Sequence, residues 1–106
     1  MTDGLDRSDI ERMTQNAEAA AAFLKAISHE GRLMILCHLA TGEKSVTELE
    51  QLLGARQAAV SQQLSRLRSE GLVTPRRDGK TIYYSLADER STRIMGVLYE
   101  MFCGTT

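Results

Sequence analysis

The sequence predicts one small, mainly α-helical domain that carries a two-stranded β-hairpin. Apolar residues recur at helical spacing in five segments of the chain. An Asp78-Gly79 dipeptide separates two short runs rich in β-branched and aromatic residues, as in a hairpin. Because 106 residues leave no room for a second full domain, residues 1–106 are expected to form one domain, with residues 1–7 disordered.

The composition is that of a soluble globular protein. Apolar residues make up 42% of the chain and charged residues 25%, with 13 basic against 14 acidic side chains. The N-terminus lacks the basic-then-apolar order of a secretory signal, and no apolar run is long enough to span a membrane. The sequence therefore predicts a cytoplasmic protein. Two isolated cysteines in a reducing compartment argue against a structural disulfide framework.

The first two helices are predicted from apolar spacing. Helix 1 covers Ser8–Ile27, whose alanine-rich middle favours helix formation. Ser28 is expected to cap the second helix. Residues 33–40 are apolar almost all round, which indicates that this helix is buried on every side.

Helices 3 and 4 are separated by a tight turn. Ser45 and Glu48 form a capping box, which opens a short third helix that runs to Gly54. Helix 4 covers Gln57–Glu70 and carries apolar residues at i, i+4 and i+7. Gly71 suits the left-handed position that follows a helix.

The hairpin and a fifth helix complete the chain. The predicted strands are residues 72–77 and 80–86, joined by a type I′ turn at Asp78-Gly79. Pro75 indicates that the first strand is an edge strand. Asp88 is expected to cap the last helix.

Two short helices, a tight turn and a basic hairpin make a winged helix-turn-helix in the order α1-α2-α3-α4-β-β-α5. Residues 55–80 carry six Lys or Arg against two Asp or Glu, although the formal net charge of the chain is −1. A local positive charge of this kind is typical of a surface that follows a phosphate backbone. The alternative is an ordinary solvated helix beside an ordinary basic turn.

The outer face of helix 4 is small and polar, which suits a helix that enters the DNA major groove. Gln62 can read adenine there, and Ala58 can touch a thymine methyl. The basic side chains of the hairpin would lie near phosphates or the minor groove. The predicted DNA-binding residues are Arg56, Gln57, Ala58, Ser61, Gln62, Ser65, Arg66, Arg76, Arg77 and Lys80.

The segments that together carry a family resemblance are Ile27–Leu36, Ser45–Leu49, Val60–Leu64, Leu67-Arg68, Glu70–Val73, Asp78-Gly79-Lys80 and Ile82–Leu86. Over about residues 18–103 the chain resembles the ArsR family of small bacterial repressors. The resemblance implies a homodimer built from the first and last helices. It also implies that the dimer binds an inverted-repeat operator in double-stranded DNA and leaves it when an inducer binds. Arg56 and Ala58 stand where the family commonly has small hydroxyl residues, so operator preference does not carry over.

Cys37 and Cys103 are the predicted sensing thiols. They stand at places that match the sulfide- and persulfide-responsive branch of the family, the SqrR and BigR type, and Arg56-Gln57 followed by Val60–Leu64 strengthens this resemblance. The branch implies that persulfides or polysulfides cross-link the two thiols within a subunit. Cross-linking would release the operator and derepress sulfide-metabolism genes.

Helical geometry gives a second argument for pairing the thiols. Cys103 lies almost opposite the apolar stripe of the last helix. The stripe consists of Ile94, Val97, Leu98 and Met101. One face of this helix can therefore meet a partner subunit, while the other meets its own domain and Cys37. A polysulfide link can close at a separation at which a plain disulfide is strained. The alternative for Cys37 is a small buried hydrophobe.

Other functions stay open or are disfavoured. The third helix has no Cys and the last helix has no His, so neither a metal site nor a cofactor is predicted. An enzyme is not expected, because the sequence has no Gly-rich phosphate loop, nucleophile elbow or paired catalytic carboxylates. The open alternatives are peroxide or metalloid sensing through the same thiols, activation by displacing another repressor, and a dimeric protein-interaction module.

Overall fold

The computed structural model describes residues 4–104, which form five helices and one three-stranded antiparallel sheet. The elements are α1 (Arg7–Ile27), α2 (Glu30–Leu39), β1 (Lys44–Ser45), α3 (Val46–Leu53), α4 (Gln57–Ser69), β2 (Val73–Asp78), β3 (Thr81–Leu86) and α5 (Glu89–Cys103). The mainly helical winged helix-turn-helix is confirmed. Strand β1 was not predicted, because two residues are too few to show the alternation of a strand. Within this range, no helix is both long enough and apolar enough to cross a membrane.

Helix α1 begins earlier than predicted. The Asp6 carboxylate accepts a hydrogen bond from the Asp9 amide at 2.9 Å, and the Asp9 carboxylate accepts one from the Asp6 amide at 3.1 Å. This reciprocal capping box starts the helix at Arg7, within the stretch expected to be disordered. Residues 1–3 of that stretch lie outside the described residues.

The cap of α2 is His29, and the prediction of Ser28 was wrong. The His29 Nδ1 atom accepts a hydrogen bond from the Gly31 amide at 3.1 Å. Ser28 instead ends α1, where its hydroxyl donates to the Lys25 carbonyl at 2.9 Å. Because both residues have a side-chain acceptor, the path of the chain between the two helices decides which of them caps α2.

The helix-turn-helix has the predicted local structure. The Ser45 hydroxyl accepts a hydrogen bond from the Glu48 amide at 3.0 Å, and the Glu48 carboxylate accepts one from the Ser45 amide at 2.7 Å. Helix α3 ends at Gly54, whose φ of +63° is the left-handed conformation that glycine adopts without strain. Only residues 54–56 separate α3 from α4.

Strand β3 lies at the centre of the sheet, between β1 and β2. Pro75 is therefore on an edge strand, as predicted. The register pairs Asp78 with Thr81, so the hairpin loop is Gly79-Lys80 and the expected Asp78-Gly79 loop was wrong. The type I′ turn was also wrong, because Gly79 has a φ of +64° while Lys80 does not have a positive φ. This sign pattern is that of a type II′ turn.

The core is formed where α2, α3 and α4 meet the sheet and α5. Its buried apolar residues are Ala26, Ile27, Ile35, Leu36, Leu39, Leu49, Val60, Leu64, Leu67, Leu72, Val73 and Met95. Helix α1 contributes only its last turn, and residues 7–19 are exposed along their whole length. The first helix therefore projects from the domain.

Candidate nucleic-acid interface and thiol pair

Helix α4 buries one face and exposes the other. Val60, Leu64 and Leu67 lie in the core, which anchors the helix against the domain. The exposed candidate DNA-binding residues at its start and outer face are Arg56, Gln57, Ala58, Ser61, Gln62 and Ser65. Arg66 is half-buried, and its Nε atom lies 3.9 Å from the Glu70 Oε2 atom one turn later. A partly exposed pair at this distance holds the guanidinium only weakly, so the charge of Arg66 is available to a ligand.

A polar hollow of about 490 Å³ lies beside the outer face of α4, against the start of α2. Its lining includes two basic side chains, Arg32 and Arg66, together with His29. The Arg32 guanidinium donates to the carbonyls of Ala26 and Lys25, at the end of α1. A cation at a helix C-terminus is favourable, so Arg32 joins α1 to α2. Sequence reasoning missed Arg32, because its partners lie six and seven residues earlier in a different helix, beyond the three- or four-residue spacing of contacts within one helix.

Gly31 allows α2 and α4 to approach each other closely. A Cβ atom built on Gly31 would collide with the side-chain amide of Gln63 on α4. Any larger residue would have to displace that amide. The sequence pattern did not single out Gly31, since only the packing of two helices reveals the contact.

In the hairpin, Arg76 is held by the side chains of Glu43, which precedes β1, and Tyr83 of β3. Its Nε and Nη2 atoms donate to the two carboxylate oxygens of Glu43 at 2.9 and 2.8 Å. The Arg76 guanidinium carbon lies 4.8 Å from the centre of the Tyr83 ring. The hydrogen bonds from Arg76 lower the pKa of the Glu43 carboxyl. By contrast, Arg77 and Lys80 are exposed, and no acidic side chain among residues 4–104 forms a salt bridge with them.

The two cysteines are free thiols on α2 and α5. Cys37 is half-buried, and exposed Cys103 is the last residue of α5. The Cys37 Sγ atom lies 3.8 Å from the Sδ atom of Met95 on α5. Burial raises the pKa of the Cys37 thiol, and the negative charge of Cys103 raises it further. Helices α2 and α5, which carry the two thiols, contact each other where Cys37 meets Met95.

Helix α5 presents two different faces. Ser91 and Met95 are buried, whereas two members of the apolar stripe, Val97 and Met101, are 52% and 68% exposed. The side facing the core is therefore the one that carries Met95, and the stripe turns partly outward. Cys103 follows Met95 by eight residues, a little over two helical turns, and is exposed rather than packed against its own domain.

A groove of about 550 Å³ separates α1 from α5. Its apolar lining includes Phe23 and Leu24 of α1 and Ile94 and Val97 of α5. Leu24 and Val97 are more than half exposed. In a single subunit, both helices thus leave apolar surface in contact with water.

Across residues 4–104, His, Cys, Asp and Glu side chains do not gather in the groups of three or more that could hold a metal ion.

Comparison with known proteins identifies the family. The model of the bacterial regulatory proteins of the arsR family matches residues 29–74. The biofilm growth-associated repressor of Agrobacterium fabrum is 46% identical over 91 residues, which cover 86% of this chain and 78% of that protein. The chain belongs to the ArsR family. As an ArsR-family member it is a transcriptional regulator with a winged-helix DNA-binding fold.

Two further relatives cover nearly the whole ArsR-family chain. The transcriptional activator HlyU of Vibrio cholerae is 37% identical over 95 residues, covering 90% of this chain and 88% of that protein. The structure of its reduced form has a TM-score of 0.83 at 38% identity, covering 88% of this chain and 98% of that one. A homodimeric winged helix-turn-helix DNA-binding domain from Mycobacterium bovis, solved by NMR, has a TM-score of 0.77 at 30% identity, covering 97% and 91%.

Proposed function

We propose that this ArsR-family regulator is a homodimeric repressor that binds an inverted-repeat operator and is released when reactive sulfur species link Cys37 to Cys103. The link forms within one subunit and derepresses genes of sulfide metabolism. The observation that supports the sensing part is the contact between α2 and α5 at Cys37 and Met95, which joins the helix of the half-buried thiol to the helix that ends at the exposed one.

The outer face of α4 supports DNA binding. It is exposed, small and polar, and the apolar residues behind it anchor the helix in the core. Gln62 offers the paired donor and acceptor that read adenine in the major groove. Arg77 and Lys80 are exposed and offer positive charge for the phosphate backbone. A protein-interaction module that does not bind DNA would lack the steep fall of affinity with salt that phosphate contacts cause.

The groove between α1 and α5 supports the homodimer. Both helices leave apolar side chains exposed, and a second copy would bury them. The homodimeric relative from Mycobacterium bovis has the same fold. In a two-fold dimer the two α4 helices must reach successive major grooves about 34 Å apart, so a small shift of α5 can change the affinity for DNA.

The different environments of Cys37 and Cys103 set the order in which the two thiols react. The exposed Cys103 thiolate attacks the outer sulfur of a small persulfide, breaks its S–S bond and releases a thiolate, which leaves a persulfide on Cys103. The Cys37 thiolate then attacks the inner sulfur of that persulfide and expels hydrosulfide. Two thiols are oxidised to a disulfide while the transferred sulfur is reduced to sulfide.

A longer bridge forms when both cysteines carry a persulfide. The outer sulfur of one attacks the inner sulfur of the other, hydrosulfide leaves, and a trisulfide joins Cys37 to Cys103. Each added sulfur lengthens the reach by up to about 2 Å, so a trisulfide closes where the cysteines are too far apart for a plain disulfide.

Intact-mass measurement of the reduced protein, before and after treatment with glutathione persulfide, tests the sensing part. An intramolecular disulfide or trisulfide is expected, together with release of a DNA fragment from the protein's own promoter. Cys37→Ser and Cys103→Ser should each bind that fragment as the unmodified protein does and fail to release it. Two unmodified cysteines after treatment, or release from both Ser variants, would contradict the proposal.

The similarity to the activator HlyU favours a second candidate, in which the protein activates genes by displacing another repressor. Measuring promoter release in parallel with persulfide, peroxide, a small disulfide and arsenite separates the possible inducers. Adding a second repressor to the same fragment tests displacement.

A further inference from the structure

Glu43, Arg76 and Tyr83 form a row across one end of the sheet. Arg76 on β2 lies opposite Tyr83 on the central strand β3, and Tyr83 also lies opposite Ser45 of β1. Glu43 directly precedes β1, so the Arg76 side chain crosses the Tyr83 ring to reach it. One residue near or on each of the three strands therefore contributes to the row.

We propose that Glu43 withholds Arg76 from the DNA backbone, so that the hairpin contacts phosphate through Arg77 and Lys80. This inference rests on the DNA binding proposed above. Arg76 then anchors the hairpin within the domain. Glu43 lowers the affinity for DNA, an effect that the positive charge of the hairpin alone does not suggest.

Glu43 binds Arg76 in the same geometry that a DNA phosphate would use. Glu43 accepts two parallel hydrogen bonds from Arg76, which is how arginine also binds phosphate. A phosphate could take up the same two donors only by displacing the Glu43 carboxylate. The remaining terminal nitrogen, Nη1, lies 4.0 Å from the Asp78 carboxylate, so acidic groups lie on two sides of this guanidinium.

Arg77 is in a different position. Successive side chains of a strand point to opposite faces, so Arg77 turns away from the face of β2 that carries Arg76 and Glu43. It is exposed, and no salt bridge within residues 4–104 occupies it. Its charge can meet a phosphate without breaking an existing contact.

A salt titration tests the proposal with a labelled, mixed-sequence duplex of about 30 base pairs, roughly three turns of DNA. Fluorescence anisotropy gives the Kd at a series of NaCl concentrations for the full chain and its variants. Glu43→Gln should tighten binding and steepen the dependence of log K on log salt by about 0.9, the value of one added phosphate contact. Adding Arg76→Gln to that variant should remove the gain.

Two variants complete the experiment. Glu89→Gln removes the same charge from an exposed position at the start of α5 and is expected to leave the salt slope unchanged. Arg77→Gln should reduce the slope by about 0.9. If Glu43→Gln and Glu89→Gln show the same affinity and salt slope while Arg77→Gln has a reduced slope, the role proposed for Glu43 is overturned. The proposed DNA binding is then retained. If no protein binds the duplex in a salt-dependent way, both proposals are overturned.

Discussion

The thiol of Cys37 lies against the thioether of Met95, with the two sulfur atoms 3.8 Å apart. Met95 is 4% exposed, and it is the residue through which α5 enters the core. Because α5 ends at Cys103, the packing of Met95 against α2 sets where the second thiol lies.

Replacing Met95 tests this dependence. Met95→Ala should lower the free energy of unfolding by about 2 to 5 kcal/mol and reduce the yield of the Cys37–Cys103 link, because α5 loses its contact with α2. Met95→Leu keeps the volume and should cost less than about 1.5 kcal/mol while leaving the link intact. Urea denaturation and intact-mass measurement after persulfide treatment provide the two readouts. Equal link yields from all three proteins would show that the Met95 contact does not position Cys103.

The two thiols should differ in reactivity. Since burial and the charge of Cys103 raise the pKa of Cys37, a smaller fraction of Cys37 is thiolate near neutral pH. Iodoacetamide is therefore expected to alkylate Cys103 first, and the Cys37 rate should rise as the pH rises towards its raised pKa. Time-resolved mass spectrometry of Cys37→Ser and Cys103→Ser isolates each rate. A faster rate at Cys37 would reverse the order of attack proposed for the persulfide.

Asp88 should stabilise α5 in a pH-dependent way. Its carboxylate accepts hydrogen bonds from the Arg90 and Ser91 amides and from the Arg90 guanidinium. These bonds, chiefly that from the Arg90 side chain, lower the pKa of Asp88. Asp88→Ala is expected to cost about 1 kcal/mol near neutral pH.

A carboxyl with a lowered pKa in the folded state stabilises the fold above its unfolded pKa, and this stabilisation is lost as the pH falls through the folded value. The difference in unfolding free energy between the original protein and Asp88→Ala should therefore shrink in acid. Urea melts over a pH series measure it. Asp88→Asn is the matched control, because asparagine also caps helices and carries no charge. A difference that stayed constant with pH would rule out the charge of Asp88 as its source.

The exposed apolar face of α5 should hold the dimer together. Val97→Asp places a charge in the groove between α1 and α5. Because Val97 is 52% exposed in a single subunit, the variant should still fold. Sedimentation is expected to report a monomer with much weaker binding to promoter DNA. Thr92→Asp adds the same charge to an exposed position of α5 outside the groove and should remain dimeric. A dimeric Val97→Asp protein would place the interface elsewhere.

Features that depend on neighbours in the chain were predictable. The Ser45–Glu48 capping box, the left-handed Gly71 and the Asp88 cap all involve partners within four residues. Such contacts form wherever the local spacing allows them, so the sequence pattern reveals them directly.

Where either of two residues or positions could form a local feature, contacts between distant residues determined which one did. Both Ser28 and His29 can cap a helix, and the packing of α1 against α2 selected His29. The hairpin loop moved by one residue because the whole β2–β3 register, beginning at Val73 and Leu86, determines which residues turn.

The sequence by itself determined the helices, the hairpin, the polar face of α4 and the presence of two thiols. Only the tertiary structure decided that Glu43 binds Arg76 from 33 residues away, that Gly31 makes room for Gln63, and that Met95 of α5 packs against Cys37. The physical reason is that local hydrogen bonds follow from spacing along the chain. Contacts between distant residues form only when the burial of a shared core fixes how the helices and strands pack.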